Sequence, residues 1–327
     1  MARQEHTNEY FNGRSFMALC AIVLVAVAAL VWTLGVQPPE AQGHGIFFTL
    51  QGDLISNSFL SFATNVLCLL ITGGILLAVN KIFTFVRSMT HLFVSAFFLF
   101  QLANPAGLVS FNAGTLLCIV TAVTLLPLFA SYQDHHSQRS IFLIFALTAT
   151  GCMFHYCFLV LIPTFILGFL YMGSLNVKGL LAMLFGLITP FWIVLGLGLA
   201  KFADFTSPHI TGIWQQAESL GNPVFMLATA TAVLGIVLAV MNLHTIMNYR
   251  MQTRVYNVFF VITLLLAIVA LCLDYSHAVI YLPQISLMVA IQIALVHTLR
   301  NASYRYIFIL LFTTACLVSC AVNLMLP

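Results

Sequence analysis

The sequence predicts an all-α fold, a polytopic bundle of transmembrane helices, and three observations lead to that prediction. Of the 327 residues, 62% are hydrophobic and only 6% are charged, whereas an ordinary soluble domain carries about 25% charged residues. Apolar runs long enough for a helix to cross roughly 30 Å of hydrocarbon recur along the whole chain. These runs lack the alternating pattern of a barrel strand, so the internally bonded helix is the structure that lipid allows here.

Charge and cysteine content narrow the function classes. The formal net charge is +3 and the basic residues are scattered singly, which excludes nucleic acid as a partner. All eight cysteines lie inside apolar runs, where a thiol behaves as a small hydrophobe, so no loop disulfide is expected. The partner that the composition predicts is the lipid bilayer itself.

The apolar runs predict about eleven spans in one integral membrane domain that covers residues 1–327. The first run is too long for a signal-peptide core and has no small-residue cleavage site, so we expect it to remain as the first span. The predicted spans lie at about 15–36, 59–79, 89–103, 113–131, 141–154, 158–173, 179–199, 222–243, 256–273, 278–298 and 307–325.

Lysine and arginine predict the orientation of the bundle. Short cytoplasmic loops retain these residues during insertion. With the N-terminus in the cytoplasm, every lysine and arginine except Lys201 falls on the cytoplasmic side. We therefore predict a cytoplasmic N-terminus.

The positions of lysine and arginine also bear on the segment 141–176, which can form one long helix or a hairpin of two short ones. Arg139 and Lys178 flank this segment, and a single crossing would move the later arginines to the outside. The charges therefore favour a hairpin with its tip near 151–156 and with Pro163 in its second arm. Short helices of this kind are expected beside protein neighbours or a water-filled cavity.

Two predicted outer loops, at about 37–57 and 201–221, are large enough to hold structure of their own. Apolar residues recur at helical spacing in both, which predicts one helix lying flat on the membrane in each loop. The two stripes are Ile46, Phe47, Leu50 and Leu54 in the first loop, and Ile210, Ile213, Trp214 and Ala217 in the second.

The acidic residues favour the outer side of the predicted topology. More than half of the eight acidic residues face outward, namely Glu40, Asp53, Asp204, Glu218 and Asp274. Asp53 is singled out because apolar anchors flank it, close to the start of the second span. A carboxylate there can act as a general base or hold a divalent metal bound to a phosphate. It can equally be a solvated loop residue or a helix cap.

Three further residues are candidates for the same site. Asp274 and His277 are three apart at the outer start of a span, so on a helix they share a face and can form an Asp–His pair. The alternative is that both are polar ends of helices in the interface. His155 falls at the hairpin tip and can approach Asp53 or Asp274 in a shared cavity, or can serve only in packing. Walker, GxSxG, HExxH and dinucleotide-binding motifs are absent from the sequence.

One stretch of the chain, about 104–195, has a familiar pattern. It reads NPAGLVSFNAGTLL, then QDHHSQRS, then GCMFHYCFLVLIPTFILGFL, then VKGLLAMLFGLITPFW. This pattern resembles an uncharacterised family of polytopic proteins of the bacterial inner membrane. More distantly, the order of a span, a long outer loop with an acidic residue, further spans and a short hairpin is similar to that of GT-C glycosyltransferases.

The distant resemblance implies a function. GT-C enzymes take sugars from polyprenyl-phosphate carriers at the outer face, with an outer-loop carboxylate as base or metal ligand. Only Asp53, or less well Glu40, matches that carboxylate, and the family's usual paired-acid motif is absent. The resemblances thus imply the bacterial inner membrane as the location and a polyprenyl-phosphate-linked sugar as a partner.

Three hypotheses follow. The first is a GT-C-like transferase with Asp53 as base or metal ligand and with Asp274 and His277 assisting. The second is a non-enzymatic membrane subunit or scaffold that binds other proteins of a cell-envelope assembly. The third, a transporter, has the least support because the charged residues lie at span ends. A deep cavity that opens outward and sideways to lipid and is lined by Asp53 and His155 favours the enzyme, and a filled bundle with no cavity favours the subunit.

Overall fold

Eleven α-helices and one short β ladder make up the part of the chain that the computed structural model describes. The described residues are 13–36, 43–50, 57–86, 91–201, 203, 205–207, 212–215, 223–247, 249–299 and 305–325. The helices are α1 (Arg14–Thr33), α2 (Ser58–Phe83), α3 (Leu92–Leu102), α4 (Ala113–Ala130), α5 (Gln138–Phe154), α6 (Leu161–Met172), α7 (Val177–Gly196), α8 (Pro223–Ile246), α9 (Met251–Leu273), α10 (Ala278–Leu299) and α11 (Arg305–Met325). The ladder pairs β1 (Gly43–His44) with β2 (Thr49–Leu50), antiparallel.

The helices coincide with the apolar runs of the sequence. In the described residues, seven are long and apolar enough to cross a membrane, namely α1, α2, α4, α7, α8, α9 and α10. The other four, α3, α5, α6 and α11, contain shorter apolar segments. These apolar helices indicate a helical membrane protein. The number of crossings and the side on which the N-terminus lies stay predictions.

Successive helices run in alternating directions, which gives the bundle two distinct ends. Near the end of α1, Trp32 Nε1 donates to Ser58 Oγ at the start of α2 (3.4 Å). Near the end of α11, Asn323 Nδ2 donates to the Ala103 carbonyl just after α3 (2.8 Å). We call the end that carries the β1–β2 ladder the ladder end, and the opposite one the basic end.

The name of the basic end reflects its charge. Of the lysines and arginines in the described ranges, all but Lys201 lie there: Arg14, Lys81, Arg139, Lys178, Arg250, Arg254 and Arg305. A short loop rich in these residues is typical of the cytoplasmic side of a membrane. The basic end is therefore the end that we predict to be cytoplasmic.

Helix α10 is the centre of the bundle. It packs against α3, α4, α8 and α9, and 89% of an 18-residue stretch within the apolar segment Tyr275–Val296 is buried. The approach of α4 is especially close, because a Cβ at Gly114 would lie 2.5 Å from the Ile280 carbonyl oxygen. Small residues allow this kind of backbone contact between transmembrane helices. In contrast, only 11% of the corresponding 18-residue stretch of α7 is buried, so this helix lies at the periphery.

A groove of about 470 Å³ lies between α3, α8 and α11. Its walls come from the end of α3, the first half of α8 and the second half of α11. Almost all of its lining is apolar, and none of Asp274, His277 or His155 contributes to it.

The interior holds neutral amides in place of charges. Gln101 Nε2 donates to Ser286 Oγ (3.0 Å), and Asn242 Nδ2 donates to Gln292 Oε1 (2.7 Å). Gln284 on α10 is completely buried, and within the described structure neither atom of its amide group has a hydrogen-bond partner. An unbonded buried amide lowers the stability of a folded protein.

We therefore expect Gln284→Met to raise the free energy of unfolding by about 1–3 kcal/mol, because the desolvation cost of the amide disappears. Thermal unfolding of the purified protein in nanodiscs measures the change. The matched control is Gln101→Met, which loses the bond to Ser286 and is expected to be less stable than wild type. A loss of stability in Gln284→Met as large as that in the control would contradict the prediction.

The predicted hairpin is confirmed. Helices α5 and α6 are separate, and a tip that contains the 3₁₀ helix Tyr156–Val160 joins them. The Gln133 N–H, which precedes α5, donates to the Met172 carbonyl at the end of α6 (2.9 Å). Helix α5 therefore starts at the basic end, and α6 ends there. Pro163 lies inside the second arm, as predicted.

The interfacial helix predicted in the first loop is wrong over residues 43–50, which form the ladder and its turn. Gly43 and Gly45 disfavour a helix, and the segment makes backbone hydrogen bonds to the hairpin tip instead. The remainder of the stripe, Leu54, lies outside the described residues. In the second loop the structure describes a 3₁₀ turn, Ile213–Gln215, and most of that predicted helix also lies outside them.

Candidate functional site

A short loop at the ladder end covers the end of α5. We call this loop, residues 43–50, the strap. The Ile46 N–H donates to the Cys152 carbonyl (3.1 Å), and the Phe48 N–H donates to the Met153 carbonyl (3.2 Å). Both carbonyls belong to the last turn of α5, where a helix has no internal donors left. The strap thus caps α5 with main-chain hydrogen bonds.

Gly45 allows the strap to come this close. It is buried, and a Cβ there would lie 2.1 Å from the Met153 carbonyl oxygen. Thr206 Oγ1 donates to the Gly45 carbonyl (2.7 Å), and the Tyr156 hydroxyl donates to the Thr206 carbonyl. Three segments that are far apart in sequence, the strap, the hairpin tip and residues 205–207, are therefore joined at the ladder end.

Aromatic contacts fasten the strap to two helices. Phe48 stacks on Phe154 with ring centroids 5.4 Å apart, and Phe47 meets Phe191 edge to face at 5.9 Å. Such pairs add about 0.5–1.5 kcal/mol each beyond the burial of their area. The strap is thereby held against the ends of both α5 and α7.

The turn between α9 and α10 holds the most polar cluster that the structure describes at this end. Asp274 ends α9 and is followed by the 3₁₀ turn Tyr275–His277. Asp274 Oδ1 lies 2.7 Å from His277 Nδ1 and accepts a bond from Ser276 Oγ (3.0 Å). The Tyr281 hydroxyl donates to Oδ2 (3.4 Å). The Asp–His pair predicted from the spacing is present, on a 3₁₀ turn instead of an α-helix.

This arrangement defines the chemistry of His277. A carboxylate only accepts hydrogen bonds, so Nδ1 carries the proton and, in the neutral ring, Nε2 carries the lone pair. The side chains of His277 and Asp274 are 24% and 17% exposed. A partly buried pair is screened by salt less than one on an open surface. Asp274 therefore orients the imidazole of His277 through Nδ1, and a neutral ring in this tautomer can accept a proton on Nε2.

His155 brings the hairpin tip to this pair. It ends α5 in an extended conformation, and its Nδ1 accepts the Cys157 N–H (3.0 Å), which places the proton of the neutral ring on Nε2. Its ring lies 5.9 Å from that of His277, at 81°. His155 is 3% exposed. The structure thus places the ring of His155 beside that of His277, which contacts Asp274.

Asp53 lies outside the described residues, and so do Glu40, Asp204 and Glu218. The functional role predicted for Asp53 therefore stays a prediction. Ser276 and Tyr281 are site residues that the sequence reasoning missed. The sequence carried a signal for each of them. Ser276 lies on the same turn as Asp274, and Tyr281 follows His277 by four residues, which places these two on one helix face.

The family resemblance implied a divalent metal, and the described side chains do not fit one. Among them, no group of three or more histidine, cysteine, aspartate or glutamate residues lies close enough to hold an ion. The pair Asp274 and His277 offers one bonded carboxylate and one imidazole, which is fewer than the ligands of the usual metal sites.

Comparison with protein families, with curated proteins and with solved structures finds no match for this chain.

Proposed function

We propose that the protein is a membrane transferase of the GT-C kind, which moves a sugar from a polyprenyl-phosphate carrier to an acceptor at the ladder end. The observation that carries the proposal is the 2.7 Å contact between Asp274 and His277, beside the ring of His155. An imidazole held by a carboxylate is the usual arrangement for a general base.

The location of the pair suits an amphipathic substrate. The residues lie where α9 and α10 leave the apolar bundle, so a carrier with its chain in the bilayer presents its sugar phosphate at this level. Peripheral, apolar helices let such a chain approach from the side. The basic residues at the opposite end support an outward-facing ladder end. The bacterial inner membrane is part of the proposal because the family resemblance implies it.

The chemical step balances without a further reactant. His277 Nε2 removes the proton of an acceptor hydroxyl, whose oxygen forms a bond to the anomeric carbon of the sugar. The bond between that carbon and the phosphate oxygen breaks, and polyprenyl phosphate leaves with the electron pair. Asp274 stabilises the imidazolium that forms, and His155 borders the site. Asp53 is proposed as a second carboxylate that accepts a hydrogen bond from the acceptor hydroxyl and orients it.

The test uses purified protein in nanodiscs with a polyprenyl phosphate that carries a radiolabelled hexose. Membrane extract supplies the acceptor, and we expect label to move out of the carrier fraction. His277→Ala should reduce the rate by at least about 100-fold, the usual share of a general base. His135→Ala, which removes an exposed histidine of the basic end, should not. Wild-type protein that transfers none of several hexoses would contradict the proposal.

A second candidate is a non-enzymatic subunit of an envelope assembly. The observation that favours it is that the strap closes over the end of α5, while the groove between α3, α8 and α11 does not reach His277. In that case a deletion strain is complemented equally by wild type and by His277→Ala. The transferase predicts that the histidine variant fails.

A further inference from the structure

The groove between α3, α8 and α11 has the shape and chemistry of a lipid-chain site. Its volume of about 470 Å³ lies in the range of ligand pockets, about 300–1,000 Å³. Phe100, Leu234 and Phe312 are among its apolar walls. The exposed side chains of Val233 and Leu311, on two of the same helices, face the bilayer. Hydrocarbon is therefore the medium that reaches the groove.

Three polar side chains, Thr231, Ser319 and Asn323, interrupt these apolar walls. The two hydroxyls donate to main-chain carbonyls, so Asn323 is the one of the three with an unbonded polar atom in the described structure. Its Nδ2 donates to the Ala103 carbonyl (2.8 Å) and to Ser319 Oγ (3.3 Å). Because a carbonyl oxygen only accepts, these bonds fix which end of the amide is nitrogen. The other atom, Oδ1, is buried and has no hydrogen-bond partner within the described structure. An acceptor in this position requires a donor, an N–H or an O–H.

The position of Asn323 indicates which part of a lipid would supply the N–H or O–H donor. Asn323 lies in the last turn of α11, beside the end of α3, while the groove continues along α8 from Pro223 to Leu234. Eleven residues of helix span about 16 Å. The polar spot is therefore at the ladder end, at the level of the lipid head groups, and the apolar length extends toward the middle of the bilayer.

We infer that the groove binds a membrane lipid that carries an amide N–H or a hydroxyl at the base of its head group. One hydrocarbon chain fills the groove, and the donor bonds Asn323 Oδ1. N-acylated lipids of the ceramide type have this combination, whereas a diacyl phosphatidylcholine has esters and no donor at that level. This site is separate from the Asp274–His277 pair, and it does not depend on the proposed transferase activity.

The experiment compares two photoactivatable probes in nanodiscs of phosphatidylcholine that contain the full-length protein. One probe is a ceramide and the other a phosphatidylcholine with the same diazirine-bearing chain. Cross-linked peptides from α8 and α11 are quantified by mass spectrometry. We expect about five- to tenfold more ceramide labelling of groove residues in wild type, as one hydrogen bond provides.

Two pairs of variants distinguish the effect of the hydrogen bond to Asn323 from the effect of the groove itself. Asn323→Leu should lower ceramide labelling to the phosphatidylcholine level, whereas Ser319→Ala, which keeps Oδ1, should preserve the preference. Ala230→Trp fills the groove and should remove both labels, while Val233→Trp, on the lipid-facing side of α8, should not. Equal labelling by both probes in wild type, or a preference that survives in Asn323→Leu, would overturn the inference. Neither readout uses activity, so failure of the transferase proposal leaves the test intact.

Discussion

Asp274→Asn is expected to abolish most of the transfer activity while leaving the fold intact. The carboxylate is the acceptor that keeps the proton of His277 on Nδ1, at 2.7 Å. An amide in its place can donate to Nδ1, which moves the proton to Nε2 and removes the lone pair that the base needs. We expect transfer to fall by about 100- to 10,000-fold, with complementation of a deletion strain lost in parallel.

A readout of the imidazole itself distinguishes this role from a purely structural one. In nitrogen-15 histidine spectra, wild-type His277 should be protonated on Nδ1, and the Asp274→Asn protein should be protonated on Nε2. Ser276→Ala is the matched control, because it removes the hydroxyl that lies 3.0 Å from Asp274 Oδ1 and 3.1 Å from His277 Nδ1 but keeps the carboxylate that holds the proton on Nδ1. If the Asp274→Asn protein were present in the membrane at the normal level and transferred sugar at the wild-type rate, the role given to the carboxylate would be refuted.

Gly114→Leu is expected to have the largest effect on stability of any single change considered. A Cβ at this position would lie 2.5 Å from the Ile280 carbonyl oxygen, and backbone atoms of α10 cannot move without disturbing the centre of the bundle. Overpacking at such a contact costs about 1–3 kcal/mol and occasionally more. We expect a value at or above the top of this range, measured as a fall in thermal stability and in the yield of folded protein.

The matched control is Gly74→Leu. Gly74 lies in α2, where a Cβ would have nothing within 4 Å. The same substitution therefore changes helix propensity and hydrophobicity equally at both positions, and only the Gly114 variant introduces a clash. If the two variants were equally stable, the close approach of α4 and α10 would not be a determinant of stability.

The hairpin and the Asp–His pair could be predicted because the information for both is local. Arg139 and Lys178 flank the hairpin, and their side of the membrane limits how often the chain crosses between them. Asp274 and His277 are three residues apart, so almost any helical turn brings their side chains together. The prediction that failed, a helix over 43–50, applied the same helical periodicity to a segment that pairs with distant backbone.

The sequence by itself determined where the helices lie and that their solvent is lipid, because apolar length and charge spacing act within single segments. Only the tertiary structure decided how the ladder end is built. The approach of Gly45 to Met153, of His155 to His277 and of Asn323 to Ala103 joins residues from different helices and loops. Such contacts depend on which faces of the helices pack together. In a chain whose spans are apolar on nearly every face, periodicity carries little information about that choice.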